Sequence, residues 1–185
     1  SPDASVPRAR FAVGGAHSCF LRASGSMACW GKGTAGQLGN GAGSSIRPVA
    51  VLTITDGVEI DAEHDHSCAR TLTGLMYCWG ENNFGQLGIG TLANRNSPVV
   101  VSGVLDAVSI ASGGAHACAV RTNGSVACWG RGTAGELGDG VRINRTTPVA
   151  VMGVSDAVEV VAGGAHSCAR RQDGSVVCWG DNTYG

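Results

Sequence analysis

The sequence has few of the features that identify enzymes, membrane spans or nucleic-acid binders. Only 15% of its 185 residues are charged and the formal net charge is −1, so it lacks the basic surplus that favours nucleic acid or an anionic membrane. No apolar run approaches the roughly 18 residues of a membrane-spanning helix. The sequence also contains no G-x-S-x-G, no Walker loop and no H-E-x-x-H. We therefore expect no catalytic residues, no cofactor, no metal, no nucleic-acid partner and no membrane span.

Helical periodicity is missing too, and glycine is abundant instead. Thirty glycines separate short runs of alternating apolar residues, such as Val158-Glu159-Val160, which is the pattern of short strands joined by tight turns. Residues 1–9 are small, polar and proline-bearing, as a linker would be. We predict an all-β fold in a single repeat domain over residues 10–185.

An internal repeat is carried by the cysteines. Each cysteine pair spans ten residues, and successive pairs are 49, 50 and 50 residues apart. A Cys-Trp-Gly triplet closes each pair, and a histidine precedes each pair by two residues. The pairs are Cys19 and Cys29, Cys68 and Cys78, Cys118 and Cys128, and Cys168 and Cys178. A period in this range indicates a solenoid, a propeller or an array, with repeats over about 14–62, 63–112, 113–162 and an incomplete 163–185.

Each cysteine pair is predicted to staple a β-hairpin. In the third copy the loop is Thr122-Asn123-Gly124, and glycine holds this third loop position in every copy. A three-residue loop ending in a left-handed residue sets Cys118 opposite Cys128. Such cross-strand pairs have Cα atoms about 4.5 Å apart, at the short end of disulfide reach. Four disulfides within hairpins therefore predict an oxidising location: extracellular, periplasmic or cell surface.

Two further strands complete a four-stranded unit. One begins at the proline in Pro98-Val99-Val100-Val101, and the other contains Val108-Ser109-Ile110. Four short antiparallel strands make a propeller blade. With a lead strand at Arg10-Phe11-Ala12-Val13, the count is fifteen strands, one fewer than four blades need. We therefore expect about four blades that belong to a seven-bladed or otherwise larger array, or an edge that another chain completes.

Several motifs resemble a known repeat family. Gly-Gly-Ala-His-Ser-Cys-Ala at 163–169, Asp-Gly-Ser-Val-Val-Cys-Trp-Gly at 173–180 and Phe-Gly-Gln-Leu-Gly at 84–88 are similar to the regulator of chromosome condensation repeat. The resemblance implies a propeller, usually of seven blades, that binds other proteins. Members range from a nuclear exchange factor for a small GTPase to secreted bacterial inhibitors of β-lactamase. The cysteine pair departs from the nuclear members and favours a secreted, bacterial-type relative.

The positions at which the copies differ are the candidates for contact with a partner, because packing fixes the shared ones. They lie after Cys-Trp-Gly, in the longer loops and in the divergent second copy. These residues are Lys32, His64, Asp65, Glu81, Phe84, Arg95, Arg131, Arg142, Asp181 and Tyr184.

The repeated histidine is part of the pattern of the family that the sequence resembles, and the resemblance implies that it bonds backbone between blades. A metal site formed by His17, Cys19 and Cys29 is the alternative if the thiols are reduced. In the second copy, Ala62-Glu63-His64-Asp65-His66 could instead hold a divalent cation, form a partner contact or be a solvated edge.

These observations favour a secreted, disulfide-stapled scaffold that binds a protein or another macromolecule through variable loops. Two alternatives remain open. One is a structural subunit that self-associates through open blade edges into a ring or fibre. The other is a proteinaceous inhibitor of an extracellular enzyme.

Overall fold

The computed structural model describes residues 11–184, in which all regular secondary structure is β-strand. The predicted linker, residues 1–9, lies outside the described residues. The strands are β1 Phe11–Val13, β2 His17–Leu21, β3 Met27–Gly31, β4 Ser45–Ala50, β5 Gly57–Glu63, β6 His66–Thr71, β7 Met76–Gly80, β8 Arg95–Val100, β9 Ala107–Ser112, β10 His116–Arg121, β11 Val126–Gly130, β12 Arg145–Ala150, β13 Ala157–Ala162, β14 His166–Arg171 and β15 Val176–Gly180. Within residues 11–184, no helix long and apolar enough to span a membrane is found.

The strands form four separate antiparallel sheets in chain order. The first three sheets are β1–β4, β5–β8 and β9–β12, and the fourth contains β13–β15. The innermost strands β1, β5, β9 and β13 contact one another in sequence, so the sheets are blades arranged around one axis. The predicted all-β propeller fold and its fifteen strands are confirmed.

The blade and the sequence repeat are offset by one strand. Val58-Glu59-Ile60 ends the first sequence repeat, yet it belongs to β5 and pairs with β6 of the second blade. Each repeat therefore supplies three strands to one blade and the innermost strand of the next. This offset makes the chain itself a link across every blade boundary.

The hairpin prediction is confirmed in register and in pairing. Each cysteine lies directly opposite its partner, with Cα atoms 4.1 Å apart and a disulfide between them. The turn glycines Gly25, Gly74, Gly124 and Gly174 have φ values of 85°, 86°, 80° and 89°, the left-handed region that a side chain disfavours.

The prediction that proline opens its strand is wrong. Pro48, Pro98 and Pro148 lie inside β4, β8 and β12, at the fourth residue of each. These are the outermost strands of their blades, and their register shifts at this point: Val49 opposes Cys29, whereas Ser45 opposes Gly31. An edge strand with a bulge tolerates a residue without an N–H.

The apolar core lies between blades. Leu38, Ile60 and Trp79 belong to one cluster that joins the first blade to the second, and each is fully buried. Equivalent clusters lie at the next two boundaries. Since burying a large apolar side chain contributes about 1.5–3 kcal/mol, stacking neighbours is what stabilises each blade.

Candidate functional site

The connections between strands divide into two faces. The β1–β2 turn, the long β3–β4 loop and their equivalents lie on one side, which we call the loop face. The β2–β3 hairpin turn, the β4–β5 connection and their equivalents lie on the other, which we call the turn face. Hydrogen bonds between adjacent blades match these assignments: Gly15 N donates to His64 O on the loop face, and Gly57 N donates to Gly25 O on the turn face.

All the predicted partner-contact positions belong to the loop face. His64 and Asp65 form the β5–β6 turn, and Lys32 follows β3. The remaining positions lie in the β7–β8 and β11–β12 loops, at the first residue of β8 or directly after β15. They are Glu81, Phe84, Arg95, Arg131, Arg142, Asp181 and Tyr184. The variable residues singled out after Cys-Trp-Gly, in the longer loops and in the second copy thus lie on one side of the array.

Repeated residues lie inside the blade boundaries instead. The indole Nε1 of Trp79 donates a hydrogen bond of 2.9 Å to the carbonyl of Gln37 in the preceding blade. Trp129 and Trp179 make the same bond, to the carbonyls of Gln86 and Glu136. The Gln/Glu-Leu-Gly motif is therefore the acceptor for the tryptophan of the next blade, which explains why both recur with the same period.

The buried histidines bridge blades through a serine hydroxyl. Nε2 of His17 lies 2.8 Å from Oγ of Ser67, and Nε2 of His116 lies 2.8 Å from Oγ of Ser167. His66 is fully buried, but its neighbour at this position is Ala117, and neither ring nitrogen has a hydrogen-bond partner among the described residues. The histidines were predicted to bond backbone between blades, but the partner of Nε2 at these two boundaries is a serine hydroxyl.

Burial controls the charge of these rings. It lowers the pKa of His17 to about 4, although the charge of Asp65 opposes the shift. The pKa of His66 falls to about 3, because burial and the neighbouring histidines both disfavour a proton. Burial lowers the pKa of His116 to about 4, against the charge of Glu136. The rings are therefore neutral at neutral pH and act as structural groups.

Asp61 is a partly buried carboxyl on the axis side of the second blade. It accepts a hydrogen bond of 2.6 Å from Ser112 N in the third blade. Burial raises its pKa to about 6, although the N–H groups of Ser112 and Ala62 oppose the shift. This hydrogen bond joins the second and third blades, at the boundary where His66 has no serine partner.

Three predicted contact residues, Lys32, Asp65 and Arg131, already make contacts between blades. Lys32 Nζ lies 2.7 Å from Asp65 Oδ2, and Gln37 Nε2 donates to Asp65 Oδ1 at 2.7 Å. Arg131 pairs with Glu136 at 2.7 Å and also donates to Gly164 O of the next blade. These side chains stabilise the loop face as well as forming part of its surface.

The metal alternatives have little support from the geometry. All eight cysteines are in disulfides, so the set of His17, Cys19 and Cys29 has no thiolate to offer. His64 is exposed, whereas His66 is fully buried beneath the turn. Across residues 11–184, no group of three or more ligating side chains converges as a metal site requires.

Some loop-face cations lack an internal counterion. Arg145 pairs with Asp139 at 3.0 Å, a pairing that the sequence comparison of copies did not reveal. Within the described chain, Arg47, Arg95 and Arg142 make no ion pair.

The fold and this surface define a repeat propeller that presents variable loops on one face. Sequence models of the regulator of chromosome condensation (RCC1) repeat match residues 73–120 and 123–170, and a second model of the same repeat matches 9–37, 107–136 and 157–185. The chain belongs to the RCC1 repeat family. A comparison with curated protein sequences gave no match.

Solved structures support the same fold. Human WBSCR16 shares 24% identity with a TM-score of 0.83, over 92% of this chain and 46% of that one. Yeast RCC1 (Prp20), solved bound to Kap60, shares 26% with a TM-score of 0.81, over 92% and 43%. The ectodomain of the Arabidopsis thaliana receptor kinase ACR4 shares 22% with a TM-score of 0.56, over 92% and 52%. The chain thus spans about half the length of these proteins.

Proposed function

We propose that this chain is a secreted or cell-surface scaffold that binds a protein partner through its loop face. The observation that carries the proposal is that the repeated residues occupy the blade boundaries, whereas the variable residues singled out from the long loops lie together on the loop face. A surface that packing does not constrain is free to be selected for recognition. The yeast relative was solved in complex with a protein, Kap60, which supports this class of function.

The disulfides support the location. Four disulfides, one in each blade, are typical of proteins that fold in an oxidising compartment. A receptor-kinase ectodomain is among the proteins with a similar fold. Secretion is tested by following the chain, expressed with its native flanking sequence, into the extracellular and surface fractions. Retention of the reduced chain inside the cell would contradict it.

The binding face is tested with three purified baits and an extract of extracellular and surface proteins from the source organism. The first bait is the unchanged chain. The second replaces three loop-face side chains: Phe84→Ser, Arg142→Ser and Tyr184→Ser. The third replaces a matched set on the turn face: Arg22→Ser, Leu72→Ser and Leu105→Ser. Both triple variants remove one arginine and two exposed nonpolar side chains.

We expect the loop-face bait to lose a protein that the other two baits retain, as quantified by mass spectrometry. Loss with the turn-face bait alone, or equal capture by all three, would contradict the proposal. An extracellular enzyme as the captured protein would specify an inhibitor, which inhibition assays would then measure.

Self-assembly is the second candidate, because the described blades leave boundary side chains exposed that either further blades or a second copy of the chain would cover. His166 is exposed, although His17, His66 and His116 are buried, and Trp30 is only partly buried, although Trp79 and Trp129 are fully buried. Faces of this kind are covered by a neighbouring blade elsewhere in the structure. Sedimentation across a range of concentrations distinguishes the candidates, because a monomer at every concentration would rule out self-assembly.

A further inference from the structure

We propose that a cleft between the first two blades on the loop face receives an aspartate or glutamate side chain of the partner, with Arg95 as its counterion. This inference rests on the proposed function of the loop face and specifies what that face recognises. It adds a charge requirement, namely an acidic residue on the partner.

The cleft lies between the long loop of the first blade and the start of β8. Its volume is about 440 Å³, and its walls are residues 33–36, 42–43 and 94–96. The first-blade wall carries Thr34 and Ala35, at positions where the second copy has Asn83 and Phe84. Small side chains at these positions leave space that a larger pair would occupy, so the opening suits a short side chain from another molecule.

Arg95 is the one charged residue among those that line the cleft. It is partly buried, and within residues 11–184 its guanidinium makes no ion pair. A partly desolvated guanidinium gains most from a carboxylate, which it can bind through two parallel N–H groups. The charge of the cleft therefore favours an acidic side chain over a neutral one.

The third copy shows how the same arginine is satisfied internally. Arg145 corresponds to Arg95 and pairs with Asp139 of its own loop. The second copy has Ile89 where the third has Asp139. Arg95 thus retains the position of a paired arginine without the acid that neutralises it, which leaves its charge available to a carboxylate from outside.

The inference is tested by nuclear magnetic resonance with two capped peptides, acetyl-Leu-Asp-Leu-amide and its near-isosteric counterpart acetyl-Leu-Asn-Leu-amide. We expect the aspartate peptide, at millimolar concentration, to shift the amide resonances of Gly36, Gly43 and Arg95. The asparagine peptide should bind about fivefold more weakly, the factor expected for loss of one partly exposed ion pair.

Arg95→Gln should abolish the preference for aspartate. Arg22→Gln, which removes an unpaired arginine from the turn face, should leave it unchanged. Ile89→Asp, which copies the third repeat, should weaken it by supplying an internal counterion. Because Ile89 packs against the core, the conclusion depends on Arg95→Gln, whose folding is checked by its amide spectrum. Equal shifts from both peptides, or a preference that survives Arg95→Gln, would overturn the inference.

This test separates the two proposals. The peptide titration measures binding at the cleft alone, whereas the bait comparison measures binding to the whole loop face. A captured partner that requires the loop face but tolerates Arg95→Gln would overturn acid recognition and leave the proposed function intact. Aspartate-selective binding at the cleft without any captured partner would overturn the proposed function and leave recognition of a carboxylate by the cleft intact.

Discussion

His17 and Ser67 form a hydrogen bond between the first two blades, with Nε2 and Oγ 2.8 Å apart. The third and fourth blades repeat it between His116 and Ser167. The boundary between the second and third blades lacks it, because Ala117 faces His66. Among the described residues, Nδ1 lacks a partner in all three rings, so what distinguishes the middle boundary is that Nε2 of His66 is unbonded as well.

Ala117→Ser should stabilise the protein. The new hydroxyl would bond His66 and could donate to Gln86 O, as Ser67 donates to Gln37 O at 3.1 Å. A net gain of about 1 kcal/mol is expected for one hydrogen bond that satisfies a buried group. Urea titration, which gives the free energy of unfolding, measures this gain.

The reverse change, Ser67→Ala, should lower the free energy of unfolding by about 1–3 kcal/mol, because it leaves Nε2 of His17 without a hydrogen-bond partner. An unchanged free energy of unfolding in Ser67→Ala would contradict a structural role for the hydrogen bond between His17 and Ser67.

Acid should destabilise the fold through its buried histidines. The folded-state pKa values of His17, His66 and His116 are about 4, 3 and 4, below the ordinary value of 6.5. Stability from their neutral form is fully present above pH 6.5 and is lost as the pH falls toward 4. Because each of these rings takes up a proton only in the unfolded chain, each should lower the free energy of unfolding by about 2 kcal/mol between pH 7.5 and pH 5. Asp61 acts in the opposite direction, because its raised pKa of about 6 favours the folded state as the pH falls.

This pH dependence is checked by urea unfolding at several pH values. His66→Leu should reduce the slope of the unfolding free energy against pH, since it removes one proton-binding site that only the unfolded chain uses. His64→Gln, a change at an exposed position, is the control. An unchanged slope in His66→Leu would show that burial does not suppress protonation of this ring.

Each disulfide should contribute measurably to stability. Closing a loop of about ten residues removes unfolded-state freedom equivalent to about 2–3 kcal/mol. Replacing Cys118 and Cys128 together by alanine should therefore lower the free energy of unfolding by roughly that amount. Unfolding under oxidising conditions measures it, and the same double variant compared under full reduction is the control. A deficit that persists when every disulfide is reduced would indicate lost packing instead of a lost cross-link.

Gly39→Ala should be more damaging than an alanine at an equally left-handed but open glycine. A Cβ at Gly39, where φ is 64°, would lie 2.8 Å from Nε1 of Trp79. Gly103 has φ 71° and nothing within 4 Å of its Cβ position, so Gly103→Ala reports backbone strain alone, about 1–2 kcal/mol. The additional loss at Gly39 measures the contact with the indole. Equal melting temperatures for the two variants would contradict a close fit between the Gln-Leu-Gly motif and the next blade.

The sequence was sufficient for local structure but not for contacts between blades. Cys118 could be placed opposite Cys128 because a three-residue glycine loop determines the register of its own hairpin. The bond from His17 to Ser67 could not be predicted, since it joins residues fifty positions apart whose relation depends on how blades stack. For the same reason the ion pair between Lys32 and Asp65 was not foreseen, although both residues had been singled out as variable.

The strand order shows the same limit. Pattern alone identified Val108-Ser109-Ile110 as a strand, but its partner is β10 of the next blade. Alternation reports which face of a strand is buried, whereas pairing depends on the connection that brings two strands together. The proline at position 98 was misplaced for a related reason, because its tolerance depends on an edge position and a bulge that the sequence does not display.

Hydrogen–deuterium exchange of the chain, alone and saturated with its captured partner, locates the face that the partner covers. Recognition through the loop face predicts new protection in loop-face segments, residues 32–44, 63–65, 81–94 and 131–144, with turn-face residues 22–26, 51–56 and 72–75 unchanged. Protection confined to the turn-face segments would contradict recognition through the loop face.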